Sequence, residues 1–96
     1  MIVFDVDGTL IDKEDQPRWE VIDLLRAMHG VGHKIGVWSG GGVDYAAHWT
    51  NRLGLGKYVS WVAAKSSLPE VVKQGAFLFV DDAADADIGG FPVLKV

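Results

Sequence analysis

Five short apolar runs rich in β-forming residues alternate with helical patterns along this chain, and this alternation constrains the fold more than any other feature. The predicted strands are residues 1–6, 34–38, 58–62, 76–80 and 92–96. Strands that alternate with helices along a chain form a mostly parallel sheet. The sequence therefore predicts an α/β fold with a mostly parallel five-stranded sheet and helices packed against it.

Three helical patterns lie between these runs. The first follows Pro17, which suits a first helical turn because it has no N–H to leave unpaired. The second covers residues 43–53, and the third begins near Ser67, which has capping-box spacing to Glu70. The residues predicted to face the sheet are Val21, Leu24, Leu25 and Met28 in the first helix, Val43, Ala46, Ala47 and Thr50 in the second, and Leu68, Val71 and Val72 in the third.

Length and composition narrow the class of protein. The 96 residues suit one domain, 1–96, and an apolar content of 49% suits a globular core. The net charge of −4 argues against a broad basic face for nucleic acid, and the absence of cysteine excludes disulfides and thiolate metal sites. The sequence shows neither the pattern of a signal peptide nor a membrane-spanning run, so we expect a cytoplasmic protein with no membrane partner.

Carboxylates follow two of the predicted strands at the point where each strand ends. Asp5 and Asp7 lie at the C-terminal end of the first strand, and Asp81 and Asp82 follow the fourth. The carboxyl ends of parallel strands lie at one edge of a sheet, so these groups should be close together. Two unit charges 4 Å apart repel by about 4 kcal/mol at an effective dielectric of 20. A divalent cation would relieve this repulsion, and an all-oxygen ligand set indicates Mg²⁺.

The same edge carries groups suited to binding an anion. Ser39 and three glycines, residues 40–42, follow the second strand, and Lys65 precedes the third helix. Glycine backbone N–H groups at a helix N-terminus bind phosphate, while Ser39 adds a hydroxyl and Lys65 a positive charge. A site with a cation-binding side and an anion-binding side meets the main demands of phosphoryl transfer, which are charge neutralisation and positioning.

Four segments of the chain resemble the ordered motifs of the haloacid dehalogenase superfamily. They are DVDGTL at residues 5–10, VWSGG at 37–41, the lone Lys65 before a helix, and FVDDAADAD at 79–87. The first motif is fairly specific, and all four occur in the family's order over nearly the whole chain. The resemblance implies a Rossmann-like three-layer sandwich and a phosphohydrolase core domain.

The resemblance also implies roles for particular residues. Asp5 would attack phosphorus to form an aspartyl-phosphate, and Asp7 would act as general acid and then general base. Thr9 would hold Asp7, Asp81 would orient Lys65 or a metal-bound water, and the sequence leaves open whether Asp85 or Asp87 serves the outer metal shell. The full set implied is Asp5 and Asp7 for catalysis; Ser39, Gly40 and Lys65 for phosphate; Asp5, Asp7 and Asp82 for Mg²⁺; and Thr9, Asp81, Asp85 and Asp87 in support.

Many members of that superfamily carry a cap domain, and this chain has no room for one. Fewer than ten residues separate Leu10 from the first predicted helix, and one helix and one strand fill the interval from Ser39 to Lys65. We therefore expect an open, capless site. Its substrate is left open between a macromolecule, such as a phosphoprotein or a polynucleotide end, and a nucleotide.

Several alternatives stay open at this point. A phosphotransferase or a phosphate-binding module that lacks turnover would share the same residues, whereas a receiver domain would place its acidic pair after the first strand rather than the fourth. A homo-oligomer is a further alternative, since Trp19 is predicted to lie opposite the apolar face of its helix. We expect Trp38 and Trp61 in the core. The three histidines, which we expect to be structural or exposed, are His29, His33 and His48.

Overall fold

The computed structural model describes residues 1–83 and 88–96. The strands are β1 (Ile2–Asp5), β2 (Ile35–Ser39), β3 (Val59–Ala64), β4 (Leu78–Asp81) and β5 (Val93–Lys95). The helices are α1 (Trp19–Gly30), α2 (Val43–Arg52) and α3 (Leu68–Lys73), and a short 3₁₀ turn, Lys65–Ser67, leads into α3. All five predicted strands and all three predicted helices are present, with ends that differ by a few residues from the predicted ones.

The five strands form one parallel sheet in the order β3-β2-β1-β4-β5. This confirms the predicted α/β architecture. From β1 the chain adds β2 and then β3 on one side of the sheet. The next strand, β4, pairs with the other side of β1 and is followed by β5, so the strand order reverses between β1 and β4. Open α/β sheets bind their ligands beyond the carboxyl ends of the strands at such a reversal. Both strands at this reversal end in an aspartate, Asp5 in β1 and Asp81 in β4.

Helices cover both faces of the sheet, which makes the fold a three-layer sandwich. Ile2 and Phe4 of β1 pack in one core cluster with Leu25 of α1 and Trp49 of α2. The alternate residue of β1, Val3, packs in a second cluster that includes Val71, Trp38 and Phe79. Successive side chains of a strand point to opposite faces, so α1 and α2 lie on one face of the sheet and α3 on the other.

The inner face of α2 differs from the predicted one. Ala46, Trp49 and Thr50 are buried, whereas Val43 is 46% exposed and Ala47 is half-buried. The helix is rotated so that the large indole of Trp49, only 7% exposed, faces the core. Burial of an aromatic ring removes more apolar area from water than burial of a valine does, and this favours the observed rotation.

The predicted capping box at the start of α3 is wrong. Ser67 forms no side-chain capping hydrogen bond within the described part of the chain, and its φ of −97° and ψ of 30° are not those of an N-cap in extended conformation. The 3₁₀ turn that precedes α3 sets this backbone conformation. Pro69, at the first or second helical position, has no N–H and therefore reduces the number of donors that need a cap.

The remaining predictions on aromatic residues and histidines are mostly confirmed. Trp38 is buried and stacks on Phe79 with ring centroids 4.8 Å apart, whereas Trp61 is only half-buried. Trp19 is 56% exposed, as expected. All three histidines are exposed. Among residues 1–83 and 88–96 there is no cap domain, and none of their helices is long and apolar enough to cross a membrane.

Candidate active site

The turn after β1 brings its backbone against the end of β4. The carbonyl of Val6 accepts hydrogen bonds from the N–H groups of Thr9, Leu10 and Ile11, and these last two side chains are fully buried. They anchor the turn to the core. Gly8 has a φ of +76°, and a Cβ at this position would overlap the carboxylate of Asp82. Glycine is therefore needed here for its conformation and for the close approach of the two segments.

Two buried carboxylates lie side by side at the reversal of strand order. Phe4 pairs with Val80, so Asp5 and Asp81 each come one residue later on adjacent strands. They are 5% and 1% exposed. Lys65 lies between them, with its Nζ 3.3 Å from Oδ1 of Asp5 and 2.9 Å from Oδ2 of Asp81. The structure thus brings three of the predicted site residues into direct contact.

The two carboxylates titrate differently because their surroundings differ. Burial raises the pKa of Asp5 to about 6; the positive charge of Lys65 opposes this rise, and the negative charge of Asp81 adds to it. Burial acts in the same direction on Asp81, but the N–H of Ala83 and the ammonium of Lys65 outweigh it and hold the pKa of Asp81 below its ordinary value. The contacts with both carboxylates raise the pKa of Lys65 despite its own burial.

A third carboxylate completes an acidic cluster. Oxygen atoms of Asp5, Asp81 and Asp82 lie within 4.8 Å of one another, so one ion could contact all three. One lysine does not neutralise three carboxylates, and the oxygen donors are of the hard kind that Mg²⁺ takes. The hydroxyl of Thr9 lies 3.5 Å from Oδ1 of Asp82, where it can donate a long hydrogen bond. Thr9 was expected to hold Asp7; the residue is fully buried, and the side-chain contact described for its hydroxyl is the one with Asp82, just after β4.

The end of β2 supplies the predicted anion-binding groups. Ser39 is buried, and its Oγ accepts a hydrogen bond of 3.0 Å from the N–H of Gly41. The hydroxyl hydrogen stays available for a phosphate oxygen, because the oxygen acts as the acceptor in this contact. Gly40 is exposed beside it, and Gly42, with a φ of +105°, leads directly into α2. No side chain of the described residues caps this helix, so its first N–H groups face the loop.

Asp7 lies apart from the acidic cluster. Its side chain is exposed, and its Oδ1 accepts a hydrogen bond of 2.7 Å from the hydroxyl of Tyr45 in the first turn of α2. This hydrogen bond is the main reason why the pKa of Tyr45 lies above its ordinary value. The sequence analysis did not single out Tyr45. The only available signal was its place just after the glycine loop, on a helix that starts at the same sheet edge.

Arg18 is a second residue that the sequence analysis missed. Its Nη1 donates to the carbonyl of Gly8 at 2.6 Å and to the carbonyl of Val96 at 3.3 Å, and its Nε pairs with Glu20 at 3.0 Å. The guanidinium therefore ties the turn after β1 to Val96, the residue that follows β5. The sequence did not indicate this contact, because Arg18 lies at the end of a polar loop and Val96 is 78 residues away in the chain.

Asp85 and Asp87, the two candidates for the outer metal shell, lie outside the described residues.

Two surface cavities lie elsewhere on the molecule. One of about 270 Å³ lies at the amino edge of the sheet, between Ile35 and Val59, and another of about 250 Å³ lies between α2 and β3. Neither is lined by the acidic cluster, which we take as the candidate active site because its charges and its position at the strand reversal point to a ligand.

Comparison with known proteins gives little guidance on function. No family model matches the chain. A 70-residue stretch is 33% identical to the "Uncharacterized 38.0 kDa protein in P143-LEF5 intergenic region" of Autographa californica nuclear polyhedrosis virus. The match covers 70% of this chain and 22% of the viral protein, so the chain spans about a fifth of the length of that relative. The name of this viral protein describes no activity.

Proposed function

We propose that the chain is a Mg²⁺-dependent phosphohydrolase of the haloacid dehalogenase type, with Asp5 as the nucleophile. The observation that carries this proposal is the position of the Asp5 carboxylate. It is buried at the reversal of strand order, in contact with Lys65 and within reach of the other acidic groups. Such a placement is costly for a purely structural aspartate, because a buried carboxylate whose pKa is raised destabilises the fold once it ionises.

The acidic cluster would hold the cation. Asp5 and Asp82 would provide carboxylate oxygens and Asp7 its backbone carbonyl, with Asp81 adding negative charge beside them. When bound, Mg²⁺ would neutralise the cluster and the charge of the phosphoryl oxygens. This role would account for the meeting of three carboxylates with one lysine among the described residues of the site.

Substrate binding would use the groups at the ends of β2 and β3. The Ser39 hydroxyl and the N–H of Gly40 would donate to phosphoryl oxygens. Lys65 has three N–H donors, and contacts with Asp5 and Asp81 leave one of them for the phosphoryl group. The same ammonium would thus align the nucleophile and bind the group it attacks.

The reaction would proceed in two displacements at phosphorus. In the first, a carboxylate oxygen of Asp5 forms a bond to phosphorus while the bond to the leaving oxygen breaks, and that oxygen takes a proton from Asp7. In the second, Asp7 accepts a proton from water, the water oxygen bonds to phosphorus, and the bond to Asp5 breaks. Inorganic phosphate leaves, and both aspartates return to their starting states.

We expect the site to be open to large substrates, because the described part of the chain contains no cap domain. An open site accepts a phosphoryl group carried on a large substrate, so phosphoproteins, polynucleotide ends and nucleotides all fit the proposal. A screen should therefore include 3′- and 5′-phosphorylated oligonucleotides and phosphopeptides as well as small phosphomonoesters.

The test is phosphate release from 4-nitrophenyl phosphate by the whole chain. We expect turnover with Mg²⁺, none in excess chelator, and a loss of at least about 1,000-fold in Asp5→Asn, which lacks the nucleophilic carboxylate. Asp23→Asn is the matched control, because Asp23 is an exposed aspartate of α1, paired with Arg26 at 3.6 Å and not a member of the acidic cluster. It should retain full activity.

Two results would count against this function. Equal activity in Asp5→Asn and the wild-type chain would remove Asp5 from the chemistry. An increase in thermal stability with Mg²⁺, without hydrolysis of any substrate in the screen, would favour a phosphate-binding module instead.

A further inference from the structure

Tyr45 is half-buried next to the turn that carries Asp7. It packs against the core cluster shared by α1 and α2. It also lies close to the glycine loop, where a Cβ at Gly41 would be only 3.0 Å from Cγ of Tyr45. These contacts restrict the ring, so α2 largely sets the position of its hydroxyl.

The hydroxyl of Tyr45 has one well-defined acceptor, Oδ1 of Asp7, at 2.7 Å. The Asp7 side chain is otherwise exposed, and an exposed aspartate rotates among its staggered conformers. Some of those conformers would turn it toward the cation-binding cluster formed by Asp5, Asp81 and Asp82. The hydrogen bond from Tyr45 favours a conformer beside α2, where the carboxyl group is free of the cluster.

We propose that Tyr45 is a positioning residue, which fixes the carboxyl group of Asp7 so that Oδ2, rather than Oδ1, carries the transferred proton. This inference rests on the proposed function, in which Asp7 is the general acid. A tyrosine hydroxyl donates to Oδ1 whether Asp7 is protonated or not, and Oδ2 is then the oxygen that holds the proton. The Oδ2–H bond breaks as the leaving oxygen takes the proton, and water later returns a proton to Oδ2.

The contribution of Tyr45 should depend on the leaving group. A weakly basic leaving group, such as 4-nitrophenolate, departs with little help from an acid, whereas phenolate needs protonation as the bond to phosphorus breaks. The ratio kcat/KM covers only the steps up to departure of the leaving group, so it isolates the role of Asp7 as an acid. The comparison of 4-nitrophenyl phosphate with phenyl phosphate therefore separates proton donation from substrate binding.

Tyr45→Phe keeps the ring and its packing and removes only the hydroxyl. We expect kcat/KM for phenyl phosphate to fall about tenfold and kcat/KM for 4-nitrophenyl phosphate to fall less than about twofold, since misplacement removes part of a general-acid contribution. Tyr58→Phe is the matched control, because Tyr58 lies at the amino edge of the sheet beside His29 and Lys57. It should change neither value, and the thermal unfolding midpoint of each variant checks the fold.

A double variant tests whether Tyr45 acts through Asp7. In an Asp7→Asn background, Tyr45→Phe should cause no further loss with phenyl phosphate. The inference is overturned if Tyr45→Phe lowers kcat/KM equally for both substrates or changes it for neither. It is also overturned if Tyr45→Phe still lowers kcat/KM for phenyl phosphate in the Asp7→Asn background. If the wild-type chain hydrolyses neither substrate, the proposed function itself fails, and this inference fails with it.

Discussion

Lys65→Met is expected to destabilise the metal-free protein by roughly 2–3 kcal/mol at about pH 8. The ammonium of Lys65 contacts two carboxylates that are almost completely buried, Asp5 and Asp81. Its removal leaves the two carboxylates side by side without the positive charge that now contacts both of them. Breaking a fully buried ion pair costs about 3–5 kcal/mol, and a smaller value is expected here because the Lys65 side chain is 36% exposed and partly screened by water.

Urea unfolding in excess chelator measures this effect, with Lys73→Met as the matched control. Lys73 is exposed in the last turn of α3, so its replacement should change the free energy of unfolding by less than about 0.5 kcal/mol. Addition of Mg²⁺ should restore part of the stability of Lys65→Met, since a cation in the cluster neutralises the same carboxylates. Equal effects of the two methionine variants would show that Lys65 is not needed for charge balance at the site.

Asp5→Asn is expected to stabilise the metal-free protein at about pH 8 while it abolishes activity. Burial raises the pKa of Asp5 from 3.8 to about 6. Between these values the folded state binds more protons than the unfolded state, so the contribution of Asp5 to stability is present below the lower value and is lost as pH rises through the upper one. Above it, the ionised carboxylate destabilises the fold by up to about 3 kcal/mol, at 1.36 kcal/mol per pKa unit.

Asparagine removes that charge, but it also weakens the contact with Lys65, so we expect a net gain of about 1–2 kcal/mol at pH 8. The gain should shrink toward zero near pH 4, where the aspartate is largely protonated in the folded state. Urea unfolding in chelator at about pH 4, 6 and 8 measures this trend. Mg²⁺ should reverse the order at pH 8, because the wild-type carboxylate binds the cation and asparagine does so poorly. If Asp5→Asn were less stable than the wild-type chain at every pH, with and without metal, the result would contradict the raised pKa of Asp5.

Sequence patterns predicted which strand ends meet at the candidate site, because the topology of the sheet follows from them. Alternating strands and helices imply a parallel sheet, and a parallel sheet brings every strand's carboxyl end to one edge. Asp5, Ser39, Lys65 and Asp81 are therefore found together on the basis of spacing alone. The strand order adds what spacing could not give, namely that Asp5 and Asp81 are on directly adjacent strands.

The details that failed depend on packing rather than on pattern. Helical spacing alone did not indicate that Trp49 rather than Val43 lies on the inner face of α2. Which side chain is buried depends on the volume to be filled in the core. The capping box at Ser67 failed because the preceding 3₁₀ turn sets the backbone of the cap residue. Thr9 was expected beside Asp7 but contacts Asp82, and the hydroxyl of Tyr45, for which no partner was predicted, donates to Asp7. Contacts between segments 38 and 73 residues apart leave no local signal.

The most direct test of the central claim is identification of the residue that becomes phosphorylated during turnover. The reaction with 4-nitrophenyl phosphate and Mg²⁺ is stopped in acid, the protein is reduced with borohydride, and its peptides are sequenced by mass spectrometry. Reduction converts an aspartyl-phosphate to homoserine. We predict homoserine at position 5, absent when Mg²⁺ is omitted. Homoserine in place of a different aspartate, or steady phosphate release with no homoserine at position 5, would contradict the assignment of Asp5 as nucleophile.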